Sequence, residues 1–248
     1  MTNTFSCRAK RGARPFSFLF ALCLIALTGA CAQTQSAGPE VSIKRPAGKL
    51  NILLMPADVK ISVVTTGGLT EPNAEWSEQG RQNVVSALKA EMAERNIEVH
   101  PYADDSVPSY QIASEHEQLI KLHQAVGASI LLHKYGPGLQ LPTKKDRFDW
   151  TLGQGVQSLR DSRGGNYALF VYAEDSFSSG GRVALQVAAI ILFGAHVPGG
   201  RQIAFASLVD LDSGSVVWFN VLTSGGGDLR EPESARQAVD TLLANSPL

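Results

Sequence analysis

The side chains in this sequence that would support chemistry are few and far apart. Its five histidines are His100, His116, His123, His133 and His196. His116 and His123 stand seven residues apart, about two helical turns, and so share a face. A zinc site would need i, i+4 pairing or a third ligand nearby, and His116-Glu117 lacks the second histidine of an H-E-x-x-H helix. The histidines therefore read as surface residues. Gly153 and Gly155, and the run from Gly225 to Gly227, stop short of G-x-G-x-x-G. Neither a G-x-x-x-x-G-K-S/T loop nor a G-x-S-x-G elbow is present. Asp210 and Asp212 alternate out of one strand, where they would reach a cation or, more simply, mark its solvent edge and turn. No catalytic residue, cofactor or metal site is assigned, and the expectation is a non-enzymatic protein. An envelope hydrolase with dispersed active residues is the alternative.

Cys31 is the most informative single position. The basic residues Arg8, Lys10, Arg11 and Arg14 precede an apolar run at 16–27 and then the small residues Thr28, Gly29 and Ala30. That is the order of a secretory signal. A run of about a dozen apolar residues is short of the ~20 that span a bilayer, so cleavage is expected rather than anchoring by the segment itself. Leu27-Thr28-Gly29-Ala30-Cys31 resembles the bacterial lipobox, in which the cysteine thiol takes a diacylglycerol; Thr28 departs from its commonest form. Ordinary cleavage after Ala32 also satisfies the small-x-small rule. Cys7 and Cys23 would leave with the signal, making Cys31 the one cysteine of the mature chain, with little structural use as a free thiol in an oxidising compartment. Lipidation at Cys31 is thus the expected modification, and the membrane the expected partner. Ala32 after the cysteine, by the same resemblance, implies the outer membrane, with the body facing the periplasm.

The formal charge of −1 conceals an asymmetry. Setting aside the four basic residues of the first thirty leaves 18 basic against 23 acidic side chains, a net of −5. Such a body lacks the clustered lysine and arginine that nucleic acid demands. Hydrophobic residues at 44% are ample for a core. The organisation expected is a signal over 1–30, a flexible tether over 31–49 with Gly38, Pro39, Pro46 and Gly48, and one domain over 50–248.

Residues 50–56 read as a buried first strand ended by Pro56, and residues 59–65 as its continuation or neighbour. Residues 75–96 are helical, with Trp76, Val84, Leu88 and Met92 on one face. A short strand at 97–100 follows. A second helix is expected at 112–126 with Leu119, Leu122 and Val126 inward, ended by Gly127, and then a strand at 128–135. Residues 148–160 suggest a short helix. The densest apolar material runs from 166 to 222: a strand, an uncharged block at 183–197 fenced by glycine pairs, and two strands joined at Asp212-Ser213-Gly214, whose types suit a tight reversal. The block is too short to cross a membrane. Apolar on nearly every face, it reads first as buried core, then as an interface with a partner or second copy, then as membrane-inserted. The last helix spans 231–244, with Pro232 in its first turn and Ala235, Val239, Leu242 and Leu243 inward.

These elements make an α/β fold with a mixed sheet of about five strands, an antiparallel hairpin and a C-terminal helix. Their order resembles the α/β domain shared by the amino-terminal part of TolB and the curli-secretion-channel lipoproteins. The residues carrying the likeness are the first strand ending at Pro56, residues 126–132 and residues 208–218. The resemblance implies a lipidated envelope protein that binds a protein partner or self-associates, with an oligomeric secretion-channel-like component as a further alternative. The segments 137–165 and 177–200 lack the alternation of membrane-crossing strands, so a pore is not implied.

Overall fold

A strand apolar on both faces needs a covering layer on each, and residues 167–173 are such a stretch. The computed structural model describes residues 33–37, 50–102, 110–144, 147–195, 197–224 and 227–248. Its elements are β1 (Gln33–Ala37), β2 (Asn51–Leu54), β3 (Asp58–Val64), β4 (Thr70–Pro72), α1 (Ala74–Glu94), β5 (Glu98–Pro101) and α2 (Tyr110–Ile130), which runs into a π-helical turn (Leu131–Tyr135). After 3-10 turns at Pro142–Lys144 and Gln154–Val156 come α3 (Gln157–Arg163), β6 (Tyr167–Ser178), α4 (Gly180–Phe193), β7 (Gln202–Asp210), β8 (Val216–Ser224) and α5 (Pro232–Leu243).

One mixed sheet holds all eight strands in the order β1-β8-β7-β6-β2-β5, with β3 also on β6 and β4 on β3. The fold is therefore the expected α/β class, with β1 and β4 as additional short strands. β2 and β3 lie end to end along one edge of β6, pairing in parallel with residues 167–169 and 172–178. Pro56 lies in the break between them, where a residue without an N–H cannot continue a ladder.

Alternation along β6 sorts the core into two layers. Leu169, Val171 and Ala173 face α1 and α5 through Val84, Leu88, Met92, Val239 and Leu242. Ala168 and Phe170 face α2, α3 and the 152–156 turn through Leu119, Ile130, Leu159, Leu152 and Val156. α5 buries Ala235, Val239, Leu242 and Leu243, the four residues expected. In the β7–β8 hairpin Gly214 has φ +74, and a side chain there would also collide with the Gly153 backbone.

Three expectations change. Residues 128–135 are helical, not a strand: α2 passes through Gly127 to Ile130, and the π turn carries it to Tyr135. Gly127 is there for space, because a Cβ would overlap the Phe205 ring. A short apolar run fits a buried helix as well as a strand, and here packing decides for the helix. Part of the sequence carrying the fold resemblance, residues 126–132, thus has a different structure. Second, Leu122 is 40% exposed; the inward stripe of α2 is His116, Leu119, His123 and Ile130. Third, Gln33–Ala37, within the segment expected as tether, pairs antiparallel with β8 and takes a hydrogen bond from Tyr135 Oη to the Gln35 carbonyl at 2.9 Å.

Candidate functional site

α4 is capped at both ends by its own sequence. Ser179 Oγ accepts from Arg182 N at 3.2 Å, and Gly194, with φ +62, closes the last turn by donating to Ile190 O. Its polar side chains turn inward. Arg182 donates through Nε and Nη2 to Pro198 O and through Nη1 to Thr66 O, and Gln186 Nε2 donates to Val197 O. At 100° per residue, Arg182, Gln186 and Ala189 fall within about 60° of each other. Ala189 is the one buried residue of the helix. The rest of the surface is apolar and open: Val183, Leu185 and Val187 are exposed, Ile190 is 55% exposed, Ile191 74%, Leu192 68% and Phe193 79%. The helix is amphipathic with its polar side on the protein and its apolar side outward. The core reading of residues 183–197 is thereby overturned: uniform apolarity describes a helix that needs cover, and the sheet offers it cover only at Ala189. No helix among the described residues is long and apolar enough to cross a membrane.

The sheet register places this helix. Gln33 is level with Thr223, Thr223 with Ile203, and Ile203 with Glu174, four residues before β6 ends at Ser178. α4 leaves from that end and the chain returns to it at Gln202. β1 therefore begins at the same end of the sheet from which α4 departs.

The histidines of α2 are buried rather than exposed. His123 stacks on the Phe170 ring at 4.7 Å, its Nε2 is 2.8 Å from Ser207 Oγ, and burial drives its pKa down to about 3. His116 lies between Tyr102 Oη, 3.1 Å from Nδ1, and Ser162 Oγ, 3.3 Å from Nε2; burial lowers its pKa also. Residues on one helical face are neighbours wherever that face points, and sequence spacing alone does not say which side is inward. The Ser207–His123 pair is buried inside the α2 layer with an aromatic ring stacked on it, so it packs the core. His100 and His133 lie on the surface, His133 with Nδ1 2.7 Å from Leu139 O; His196 is outside the described residues, as is Cys31. Among the described residues no three His, Cys, Asp or Glu side chains group to hold a metal.

Asp210 makes the hairpin turn, its Oδ1 accepting from Asp212 N at 2.8 Å and Ser213 N at 3.0 Å, while Asp212 pairs with Arg160. Gly153 precedes a 3-10 turn; Gly225 and Gly226 are outside the described residues and Gly227 adjoins Gln202.

Sequence reading missed Asp175. It is 1% exposed near the end of β6, and its Oδ2 accepts from Leu229 N at 3.1 Å and Gln202 Nε2 at 3.3 Å. Burial pushes its pKa up to about 6. The signal was its parity: 175 shares the inward face of 169, 171 and 173. A cavity of about 200 Å³ lies beside it, lined by Phe177, Gly200 and Gln202. Next to it the Arg230 guanidinium lies between Trp76 (4.3 Å) and Phe177 (3.9 Å) and pairs with Asp228 at 2.6 Å. This cluster fastens the turn before α5 to the sheet.

No protein-family model matches the chain, and no curated protein matches it. Among solved structures it is similar to a PelC dodecamer from Paraburkholderia phytofirmans, with 12% identity, TM-score 0.38, and coverage of 88% of this chain and 96% of that one. A point variant of that dodecamer matches with 12% identity, TM-score 0.36, and coverage of 88% and 97%. At this identity and score the likeness supports no conclusion about the present chain.

Proposed function

We propose that this chain is a lipid-anchored envelope protein that docks on a membrane by two features, the acylated Cys31 and the outward apolar surface of α4, and presents its α/β body as a binding or assembly module. The observation that carries this reading is the placement of α4. In the sequence Cys31 stands two residues before Gln33, where β1 begins. That start belongs to the sheet end from which α4 departs. A wide uncharged apolar arc suits immersion in lipid better than a second helix, which covers a narrow stripe. Several acyl chains, at ~0.8 kcal/mol per buried CH₂, would supply most of the holding energy, and α4 would fix the body's orientation. The outer membrane, periplasmic side, is the location that the lipobox resemblance supports, and protein binding or assembly rather than catalysis is the role.

The test is fractionation of cells expressing wild type, Cys31→Ser, and Cys31→Ser with Ile190→Ser and Ile191→Ser. Wild type in the membrane, the single variant divided between membrane and soluble fractions, and the triple variant soluble is the result expected. A Cys31→Ser protein that behaves as wild type would remove the anchor. A triple variant no more soluble than Cys31→Ser would remove α4 from the docking surface.

A further inference from the structure

We propose that the tip of the β3–β4 hairpin, led by Leu69, enters the same phospholipid surface as α4, and that Arg182 joins tip and helix into one platform. This rests on the membrane-docking reading above and adds a second, separate insertion point to it. β3 ends at Val64, level with Ser178 of β6, two residues before α4 begins. The connecting residues Thr65, Thr66, Gly67, Gly68 and Leu69 carry no charge. Leu69 is 72% exposed, comparable with the outermost residues of α4. Its position is held rather than loose: Thr65 N donates to Leu69 O at 2.8 Å, and Leu69 N donates to Thr65 Oγ1 at 3.1 Å.

The hairpin and helix are tied at three points. Ser179 N, at the α4 cap, donates to Val64 O at 2.9 Å. Arg182 Nη1 donates to Thr66 O at 3.4 Å while Nη2 donates to Pro198 O at 2.8 Å, so one guanidinium spans the tip and the segment returning from α4. Gly181 approaches Thr66 so closely that a Cβ would collide with its hydroxyl. An exposed leucine on an uncharged turn, braced against an outward apolar helix, extends that helix's apolar surface. The threonine hydroxyls and backbone of the turn have the polarity of the headgroup layer, which suits a shallow insertion.

The experiment places an environment-sensitive fluorophore on Leu69→Cys and, separately, on Ile191→Cys, in the full lipidated protein reconstituted into liposomes of phosphatidylethanolamine and phosphatidylglycerol. Cys31, held as a thioether, leaves the introduced cysteine as the free thiol. Both labels should shift to the blue and be quenched by lipid-borne spin labels, Leu69 at the shallower depth. An Ile191 label in lipid with a Leu69 label in water overturns this inference and leaves the docking reading intact. Both labels in water overturn the two together. In Arg182→Gln the Ile191 label should stay in lipid while the Leu69 label loses at least half its quenching; unchanged quenching at both sites overturns the part given to Arg182.

Discussion

Replacing Ile190 and Ile191 together by serine removes apolar surface that lies mostly outside the core. The two side chains are 55% and 74% exposed, which leaves about one and a third isoleucines available to a lipid phase. Full burial of such a side chain is worth roughly 1.5–3 kcal/mol, so the pair should hold about 2–4 kcal/mol of membrane affinity. That corresponds to a roughly 30- to 700-fold fall in partition coefficient. The measurement is sedimentation with liposomes, made in a Cys31→Ser background so that the acyl chains do not mask the difference. Urea unfolding of the same proteins should agree within about 0.5 kcal/mol, since neither residue packs in the core. Equal partitioning of the two proteins, or a Cys31→Ser protein that does not bind liposomes at all, would refute the reasoning. So would a double variant that loses several kcal/mol of folding stability, because α4 would then be covered by the protein itself.

Other outcomes follow from the buried groups. Asp175 has a folded-state pKa raised from 3.8 to about 6, so its contribution is greatest at low pH and is lost as pH rises through about 6, a span of ~3 kcal/mol. His123 runs the other way: its pKa falls from 6.5 to about 3, so stability is present above 6.5 and lost as pH falls, by ~1.4 kcal/mol per pH unit through the interval. Between about pH 6 and 4 the two slopes oppose each other. Asp175→Asn should therefore make urea stability fall steeply over that range, and His123→Phe should make it rise; a wild-type slope retained in either variant contradicts the assignment. Gly127→Ala forces a methyl into the Phe205 ring and should destabilise by about 1–3 kcal/mol in urea, despite the better helix propensity of alanine. An unchanged midpoint would mean that the α2–sheet contact is looser than described.

The elements whose neighbours in sequence are also their neighbours in space were legible. The β7–β8 hairpin was readable because Asp212, Ser213 and Gly214 are turn residues between two apolar runs, and α5 because its inward face and Pro232 are local signals. The π turn at 131–135 was not, since a few apolar residues after a glycine fit strand and helix alike until Phe205 is known to lie against Gly127. The candidate site was half legible. The sequence shows that residues 183–193 are apolar on nearly every face; only the sheet register shows where that helix departs, and only its exposure shows that it has little to pack against. The histidines misled for a related reason, because a helix with polar residues on two sides does not say which of them the sheet will cover. Asp175 is readable from strand parity alone, since it shares a face with Leu169, Val171 and Ala173.

The most direct test of the central claim is photocrosslinking of the full-length protein in membranes containing a phospholipid with a photoreactive acyl chain, followed by peptide mapping of the adducts. Adducts concentrated in residues 183–193 are the predicted result. Adducts confined to other surfaces, or crosslinks joining residues 183–193 of two protein copies with none to lipid, would contradict it.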